Sequence, residues 1–315
     1  MKQDILITNP VLPGQMALLE RRYTLHRYDQ VLDERKAAFV AELGERCVGM
    51  VTIGHFPLDT DFIARFPAMQ IVACASVGYD TIDVSALTER GIRFTNTPDV
   101  LTNDVADTAI MLMLAIRRQL RYGDHYVRSG EWGRSGMMRL TTRTEGSRVG
   151  IVGLGRIGLA IAARCEVMGQ EVGYHNRRVK ADSNYRYFDD LQQLAEWADV
   201  LIAATPGGDA TQGLISEPVL NAVGPDGTFI NISRGSVVDE QALIDALKSG
   251  RLGAAGLDVF CNEPHPDEAF SQLENVVLYP HHGSGTTQTR DAMSQLAVDN
   301  LEAHFAGKPL LTPVN

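Results

Sequence analysis

The stretch that decides the fold is RVGIVGLGRIGLAIAA, residues 148–163. Residues 148–152 form a short apolar run rich in branched side chains, which is typical of a buried strand. Residues 159–163 are strong helix formers without a breaker. Between them, glycines at positions 153, 155 and 158 have the spacing G-x-G-x-x-G. A strand, a glycine turn and a helix in this order predict one unit of a parallel α/β sheet.

The glycine turn predicts a dinucleotide site. We expect Gly153 to make the tight turn, Gly155 to let the backbone approach a pyrophosphate and Gly158 to let helix and strand pack closely. Arg156 and Ile157 lie inside the turn, where the positive end of the helix dipole favours the pyrophosphate. The alternative is a glycine-rich turn that has only a structural role and binds no ligand.

The end of the next strand indicates which dinucleotide. NAD-binding sheets place a carboxylate there to accept hydrogen bonds from the ribose hydroxyls. This chain has Asn176, Arg177 and Arg178 instead, with no carboxylate. Adjacent arginines offer bidentate donors to a 2′-phosphate, so the predicted cofactor is NADPH (NADP+). A solvated pair of loop arginines is the alternative.

The rest of the chain alternates strands and helices, which predicts an α/β protein with parallel sheets. Val105, Ala109, Met113 and Ile116 recur at helical spacing, so 102–122 is predicted as one long helix, and 286–305 as another. We expect two Rossmann-like or flavodoxin-like domains with a cleft between them. The predicted substrate-binding domain is discontinuous, 1–98 and 285–315, around a dinucleotide-binding domain, 99–284. The predicted strands are Ile5–Thr8, Tyr23–Tyr28, Val48–Ile53, Ile71–Ala75, Ile92–Asn96, Val149–Gly153, Glu171–His175, Val200–Ala204, Thr228–Ile232, Ala255–Val259 and Val276–Tyr279, with a further short strand at 185–188.

Composition limits the possible partners. The net charge of −10 would repel nucleic-acid phosphates and anionic lipids, so we expect neither partner. The four cysteines are scattered without a C-x-x-C pair, which predicts buried, reduced thiols and no metal site. The chain starts without a leader-like apolar segment, and we expect a cytoplasmic protein.

Three polar residues follow successive strands of the second sheet: Arg234, Glu263 and His281. Each alone could be a surface arginine, a loop acid or a hydrogen-bonded histidine. Together with 75–80 (ASVGYD), 256–260 (GLDVF) and the glycine turn, they make nearly the whole chain resemble the D-isomer-specific 2-hydroxyacid dehydrogenase family, particularly its NADPH-dependent glyoxylate/hydroxypyruvate reductases.

The resemblance implies reduction of glyoxylate or hydroxypyruvate to D-2-hydroxy acids by a homodimer formed through the cofactor domain. It implies that Arg234, Glu263 and His281 are catalytic, and that Arg234 and His281 also contact substrate. It further implies that Asp258 contacts the nicotinamide side of the cofactor, and that backbone amides at Val77 and Gly78 hold the substrate carboxylate.

The chemistry explains these residue types. Hydride arriving at a keto carbon leaves negative charge on oxygen, so a group such as the His281 imidazole must deliver a proton. Glu263 would stabilise the imidazolium, and Arg234 would clamp substrate oxygens with permanently charged donors. His282 departs from the aliphatic residue common in the family at this place; because His281 directly follows Pro280, His282 is predicted to be a packed neighbour.

Alternatives remain open at the level of sequence. Aromatic keto acids such as hydroxyphenylpyruvate would suit the same residues, and so would a dinucleotide-sensing corepressor-like protein. Glu263 disfavours a formate dehydrogenase-like enzyme, and the predicted NADPH preference disfavours a phosphoglycerate dehydrogenase. Trp132, Met137 and Met138 could reach a partner's substrate mouth, as the family implies, or serve ordinary dimer packing.

Overall fold

The computed structural model describes residues 2–315, which divide into two compact units. The first contains the residues up to Leu101 together with Gly285–Asn315, and the second is Thr102–Ser284. The strands are β1 (Asp4–Ile7), β2 (Thr24–Arg27), β3 (Cys47–Thr52), β4 (Ile71–Cys74), β5 (Arg93–Thr95), β6 (Arg148–Val152), β7 (Glu171–His175), β8 (Arg186–Phe188), β9 (Val200–Ala203), β10 (Thr228–Asn231), β11 (Ala254–Leu257) and β12 (Val276–Leu278). The helices are α1 (Pro13–Arg22), α2 (Asp33–Leu43), α3 (Thr60–Ala64), α4 (Val84–Glu89), α5 (Thr102–Arg117), α6 (Leu120–Arg128), α7 (Glu131–Ser135), α8 (Arg156–Val167), α9 (Leu191–Trp197), α10 (Glu217–Val223), α11 (Glu240–Ser249) and α12 (Thr287–Phe305).

The first unit is a five-stranded parallel sheet in the order β2-β1-β3-β4-β5. Successive side chains of a strand point to opposite faces. Ile5 and Ile7 accordingly join one core, which includes Leu301 of α12, while Leu6 joins a second core on the other face. The strand order is that of flavodoxin-like folds, and α12 completes this unit from the far end of the chain.

The second unit is a seven-stranded parallel sheet in the order β12-β11-β10-β9-β6-β7-β8. This order reverses between β6 and β9, as in a doubly wound dinucleotide-binding fold. β8 is the short strand predicted at 185–188, and it extends the six-stranded core of the sheet at the β7 edge. The two parallel sheets with helices confirm the predicted fold class.

The prediction of one helix over 102–122 is wrong at its end. α5 stops at Arg117, and Gln119 has a φ of 50°, in the left-handed region, before α6 begins. The backbone shows how the helix ends: the Gln119 N–H donates to the Ile116 carbonyl at 3.1 Å, three residues back rather than four. Arg117 at this end is 8% exposed, and its guanidinium donates to the carbonyls of Arg143 (3.0 Å) and Asp199 (3.4 Å). The predicted apolar stripe of α5 is nevertheless buried.

The C-terminal helix confirms the prediction for 286–305. α12 begins at Thr287, and Thr286 caps it by accepting a hydrogen bond at Oγ1 from the backbone N–H of Thr289 at 3.3 Å. Among residues 2–315, no helix has the length and apolar character needed to cross a membrane.

The cysteine prediction is correct for three residues and wrong for one. Cys47, Cys74 and Cys165 are buried free thiols, whereas Cys261 is exposed. Burial raises the pKa of Cys47 and of Cys165 to about 12 and that of Cys74 to about 11. Cys261 is exposed because it lies in the loop after β11, where the chain leaves the sheet. Partial desolvation of its thiol and the neighbouring Glu240 still raise its pKa to about 11.

Candidate active site

One edge of the seven-stranded sheet collects the residues predicted to carry chemistry. Because all strands are parallel, their carboxyl ends lie along the same edge, where open α/β sheets bind ligands. Gly153 follows β6, Thr205 follows β9, Arg234 follows β10, Asp258 follows β11 and His281 follows β12. The unit therefore brings the glycine turn and the polar residues to one side.

The glycine turn has the shape of a cradle for a phosphate group. Gly153 has a φ of 101°, and a Cβ there would lie 2.8 Å from the Thr205 Cα. A Cβ on Gly158 would lie 2.2 Å from the Gly153 carbonyl oxygen, so helix and strand approach closely. Gly155 precedes α8 and has no atom within 4 Å of a notional Cβ. That open space at a helix N-terminus fits a pyrophosphate.

The residues after β7 are tied to this turn. Asn176 accepts a hydrogen bond at Oδ1 from the Leu154 backbone N–H at 2.7 Å, and the His175 carbonyl accepts one from Gly153 at 3.0 Å. Arg177 and Arg178 are exposed, and within residues 2–315 their guanidinium groups have no hydrogen-bond or ion-pair partner. Two such guanidinium groups beside the glycine turn are available to bind a second phosphate group of a cofactor.

His281 and Glu263 form a direct pair. The His281 Nδ1 lies 2.6 Å from the Glu263 Oε2, and their side chains are 30% and 28% exposed. The other carboxylate oxygen of Glu263 accepts a hydrogen bond from the Phe260 backbone N–H at 2.9 Å. The carboxylate is thus fixed at one oxygen and orients the imidazole with the other, as a general acid requires.

Asp258 holds the backbone that carries His281. Its carbonyl accepts from the His281 N–H at 2.7 Å, and its carboxylate accepts from the N–H groups of His282 (2.7 Å) and Gly283 (2.9 Å). His281 itself has a φ of 49°, in the left-handed region. Burial raises the pKa of Asp258, although the amide donors and nearby His281 act in the opposite direction. Asp258 was predicted to contact the cofactor, and that contact stays a prediction.

Arg234 is held by a residue to which the sequence analysis assigned no role. Asn231 is 2% exposed; its Nδ2 donates to the Arg234 carbonyl at 3.0 Å, and its Oδ1 accepts from the Ser233 N–H at 3.0 Å. The Arg234 Nη1 donates to the Ser233 carbonyl at 2.8 Å. The available signal was an asparagine at the end of an apolar strand, where its side chain can close a turn.

In the first unit, the Val77–Gly78 loop is also built from side-chain contacts. Ser76 accepts at Oγ from the Gly54 N–H (2.7 Å) and donates to the Gly78 carbonyl (2.9 Å), while Asn96 donates to the Val77 carbonyl at 3.0 Å. The N–H groups of Val77 and Gly78 donate no hydrogen bond within the described part of the chain. Oriented amides of this kind can bind a carboxylate. The roles of Ser76 and Asn96 were missed because the bonds from Gly54 to Ser76 and from Asn96 to Val77 join residues about 20 positions apart.

Comparison with known proteins identifies the family. Residues 110–283 match the model described as "D-isomer specific 2-hydroxyacid dehydrogenase, NAD binding domain". The chain belongs to the D-isomer-specific 2-hydroxyacid dehydrogenase family. The matched range contains the glycine turn together with Arg234, Glu263 and His281. This confirms the resemblance seen in the sequence and makes the protein an oxidoreductase.

Individual dehydrogenases of this family are similar over nearly the whole chain. Glyoxylate/hydroxypyruvate reductase A from Arabidopsis thaliana is 47% identical over 302 residues, 94% of each chain. Hydroxyphenylpyruvate reductase from Plectranthus scutellarioides is 48% identical over 296 residues, again 94% of each. The NADPH-dependent glyoxylate/hydroxypyruvate reductase of Sinorhizobium meliloti, solved with NADP and malonate, is 40% identical with a TM-score of 0.90, covering 100% of this chain and 97% of the other.

Proposed function

We propose that this dehydrogenase uses NADPH to reduce the keto group of glyoxylate and hydroxypyruvate to D-2-hydroxy acids. The observation that carries the proposal is the 2.6 Å contact between His281 and Glu263 at the sheet edge that also bears the glycine turn. This contact supports the assignment of His281 as proton donor and Glu263 as its anionic partner, because a parallel sheet of this order binds a dinucleotide at the same edge. The names of the Arabidopsis and Sinorhizobium relatives support the choice of substrate class and cofactor.

The cofactor contacts come from three places in the second unit. The glycine turn would hold the pyrophosphate, the loop after β7 would hold the 2′-phosphate, and Asp258 would lie on the nicotinamide side. Bound NADPH supplies the hydride. The assigned residues are Gly153, Gly155, Arg156, Ile157, Gly158, Asn176, Arg177, Arg178 and Asp258.

His281 supplies the proton that the reduction needs. Because its Nδ1 faces Glu263, its Nε2 is the nitrogen that delivers a proton to the developing alkoxide. The proton passes to the substrate oxygen, the imidazolium becomes neutral imidazole, and a hydroxyl group results. Glu263 stabilises the imidazolium before transfer, and Arg234 holds a substrate oxygen through its guanidinium. The amides of Val77 and Gly78 bind the substrate carboxylate.

Hydroxyphenylpyruvate is a second candidate substrate, favoured by the 48% identity to the Plectranthus reductase. Both candidates share the 2-keto acid group on which the catalytic residues act and differ only in the substituent. Loops that line the pocket decide how large a substituent fits, and motif spacing does not encode their packing. The ratio of kcat/KM values for hydroxypyruvate and hydroxyphenylpyruvate distinguishes the two candidates.

The test is consumption of NADPH by the purified protein with a panel of keto acids. We expect turnover with glyoxylate and hydroxypyruvate, weaker turnover with hydroxyphenylpyruvate, and a D-configured product from hydroxypyruvate. His281→Ala is the control for adventitious reductase activity. Binding of NADPH without turnover of any keto acid would instead identify a dinucleotide-sensing protein.

We also propose a homodimer formed through the second unit. Within its segment 132–140, three large apolar side chains are strongly exposed: Trp132 at 62%, Met137 at 81% and Leu140 at 84%. Clusters of exposed apolar side chains mark interaction surfaces. Met138 lies in the same segment. Light scattering on a sizing column should give twice the mass of one chain. The double variant Trp132→Asp with Met137→Asp should have the mass of a single chain. The cytoplasmic location stays a prediction.

A further inference from the structure

Two tyrosines lie side by side under the loop that carries Arg177 and Arg178. β7 and β8 are parallel neighbours, and Tyr174 is the register partner of Tyr187. Residues opposite each other on adjacent strands share a face of the sheet. Their ring centroids are 5.4 Å apart with planes inclined at 53°. The two hydroxyl groups therefore extend from one face of the sheet at its outer edge.

Each hydroxyl group holds one end of the loop. The Tyr187 hydroxyl donates to the Asn176 carbonyl at 3.2 Å, where the chain leaves β7. The Tyr174 hydroxyl accepts from the Lys180 N–H at 3.0 Å, four residues later. Arg177 and Arg178 lie between these two attachment points. The pair thus closes the segment from Asn176 to Lys180 into a defined loop.

Between its two ends the loop has no apolar side chain that anchors it. Arg177, Arg178 and Val179 are all exposed, Val179 at 63%. An exposed segment without apolar anchors samples many conformations, and ordering it on binding costs affinity. Tyr174, in contrast, is 1% exposed and fixed by packing. A buried tyrosine that reaches a backbone group through its hydroxyl transmits the rigidity of the sheet to the loop.

We propose that Tyr174 and Tyr187 are positioning residues that preorganise the 176–180 loop for the 2′-phosphate of NADPH. This inference rests on the proposed use of NADPH. The tyrosines do not touch the ligand; they act by holding the backbone from which Arg177 and Arg178 project. NADH lacks the 2′-phosphate, so its binding should depend much less on where Arg177 and Arg178 are held. The pair thereby contributes to cofactor selectivity rather than to the chemical step.

The test uses Tyr187→Phe first, because Tyr187 is only partly buried and phenylalanine keeps its ring packing. Tyr174→Phe is the second variant. Tyr185→Phe is the matched control, since the Tyr185 hydroxyl donates to the Glu166 carboxylate at 3.2 Å and not to the loop. Dissociation constants for NADPH and NADH are measured by nicotinamide fluorescence, and exchange of the Lys180 amide proton is followed by mass spectrometry or NMR.

The expected result is selective. Loss of one hydroxyl should raise the Kd for NADPH by roughly three- to tenfold, the range for one hydrogen bond, and leave the Kd for NADH and kcat at saturating NADPH unchanged. The Lys180 amide should exchange faster in Tyr174→Phe, and Tyr185→Phe should behave like the parent protein. Equal weakening of both cofactors, or no change for NADPH, would overturn the proposal.

A parallel variant separates this inference from the proposed function. Arg177→Ala with Arg178→Ala removes the phosphate donors themselves. If this double variant loses NADPH affinity and the tyrosine variants do not, only the positioning role is refuted. If the parent protein binds NADH as tightly as NADPH, the assigned cofactor preference is wrong and the positioning role is refuted as well.

Discussion

The carboxylate of Asp258 accepts a hydrogen bond from the backbone N–H of Gly283 at 2.9 Å, two residues beyond His281. It also accepts one from His282 at 2.7 Å, and Asp258 is only 2% exposed. A Cβ added to Gly283 would lie 2.8 Å from the same carboxylate. The left-handed backbone of His281 is therefore held by a buried anion on the neighbouring strand.

Replacing that anion should misplace His281 without removing it. We expect Asp258→Ala to lower kcat on the order of tenfold or more, because small displacements of a catalytic group are costly. Asp258→Asn keeps one acceptor oxygen and should lose less. Steady-state kinetics with far-ultraviolet circular dichroism checks this, with the exposed Asp226→Asn as control. A kcat equal to the parent's in Asp258→Ala would refute the positioning role.

Substitutions at the adjacent His281 and His282 should have very different effects on turnover. His281→Ala should lose on the order of a hundredfold or more in turnover, since it removes the proton donor. His282→Ala should lose little, because its exposed ring packs edge-on against Tyr279, with centroids 5.8 Å apart, and its link to Asp258 is through the backbone. Turnover at saturating substrate compares the two, and the reverse pattern would move the assignment to His282.

The negative charge of Glu263 should contribute to catalysis. Glu263→Gln can keep a hydrogen bond to the His281 Nδ1 but cannot stabilise an imidazolium, so we expect kcat/KM to fall on the order of tenfold or more. Glu240→Gln is the matched control, since the Glu240 carboxylate accepts from the Cys261 N–H at 2.9 Å in the same region. The measurement is kcat/KM across a pH series. Parent-like values for Glu263→Gln throughout would exclude an electrostatic role.

The arginine pair should determine the choice of cofactor. Arg177→Ala with Arg178→Ala removes two guanidinium groups that have no partner among the described residues, so the fold should tolerate it. We expect KM for NADPH to rise far more than KM for NADH. Steady-state kinetics with each cofactor gives the ratio. Equal effects on the two would show that the pair is only a solvated part of the loop.

The features that could be predicted from the sequence are those that depend on a local pattern of residues. Strands and helices were readable because apolar runs and helical spacing are local, and the glycine turn because tight turns and close approaches demand glycine. His281 and Glu263 followed from their places in short motifs. Their contact at 2.6 Å needed the structure, since it depends on how loops after two different strands fold against each other.

What the sequence could not predict depends on contacts between distant residues. The break at Gln119 lies beside Arg117, whose buried guanidinium donates to the Asp199 carbonyl 82 positions away. The pairing of Tyr174 with Tyr187 follows from strand register, which no single segment encodes. The role of Asn231 depends on its bonds to the Ser233 N–H and the Arg234 carbonyl, and the sequence analysis assigned it none.

Stability should depend on pH through Asp199. Its carboxylate accepts three hydrogen bonds from Arg148: from the backbone N–H (2.8 Å), Nε (3.3 Å) and Nη2 (3.0 Å). Burial alone would raise the pKa of Asp199, but the bonds to Arg148 and the charges of Arg148 and Arg117 outweigh it and hold the pKa below its usual range. A carboxyl group of this kind stabilises the fold above its unfolded-state pKa, and that contribution disappears as the pH falls through the lower, folded value.

Asp199→Asn should therefore lower the free energy of unfolding at neutral pH by about 1 kcal/mol, a modest value because solvent screens this partly exposed pair. The difference from the parent should shrink as the pH falls below about 4. Urea unfolding followed by fluorescence at several pH values measures it. The exposed carboxyl group of Asp226 has no partner within residues 2–315, so Asp226→Asn should match the parent throughout. A difference for Asp199→Asn that grows toward acid would mean that its pKa is raised by folding, not lowered.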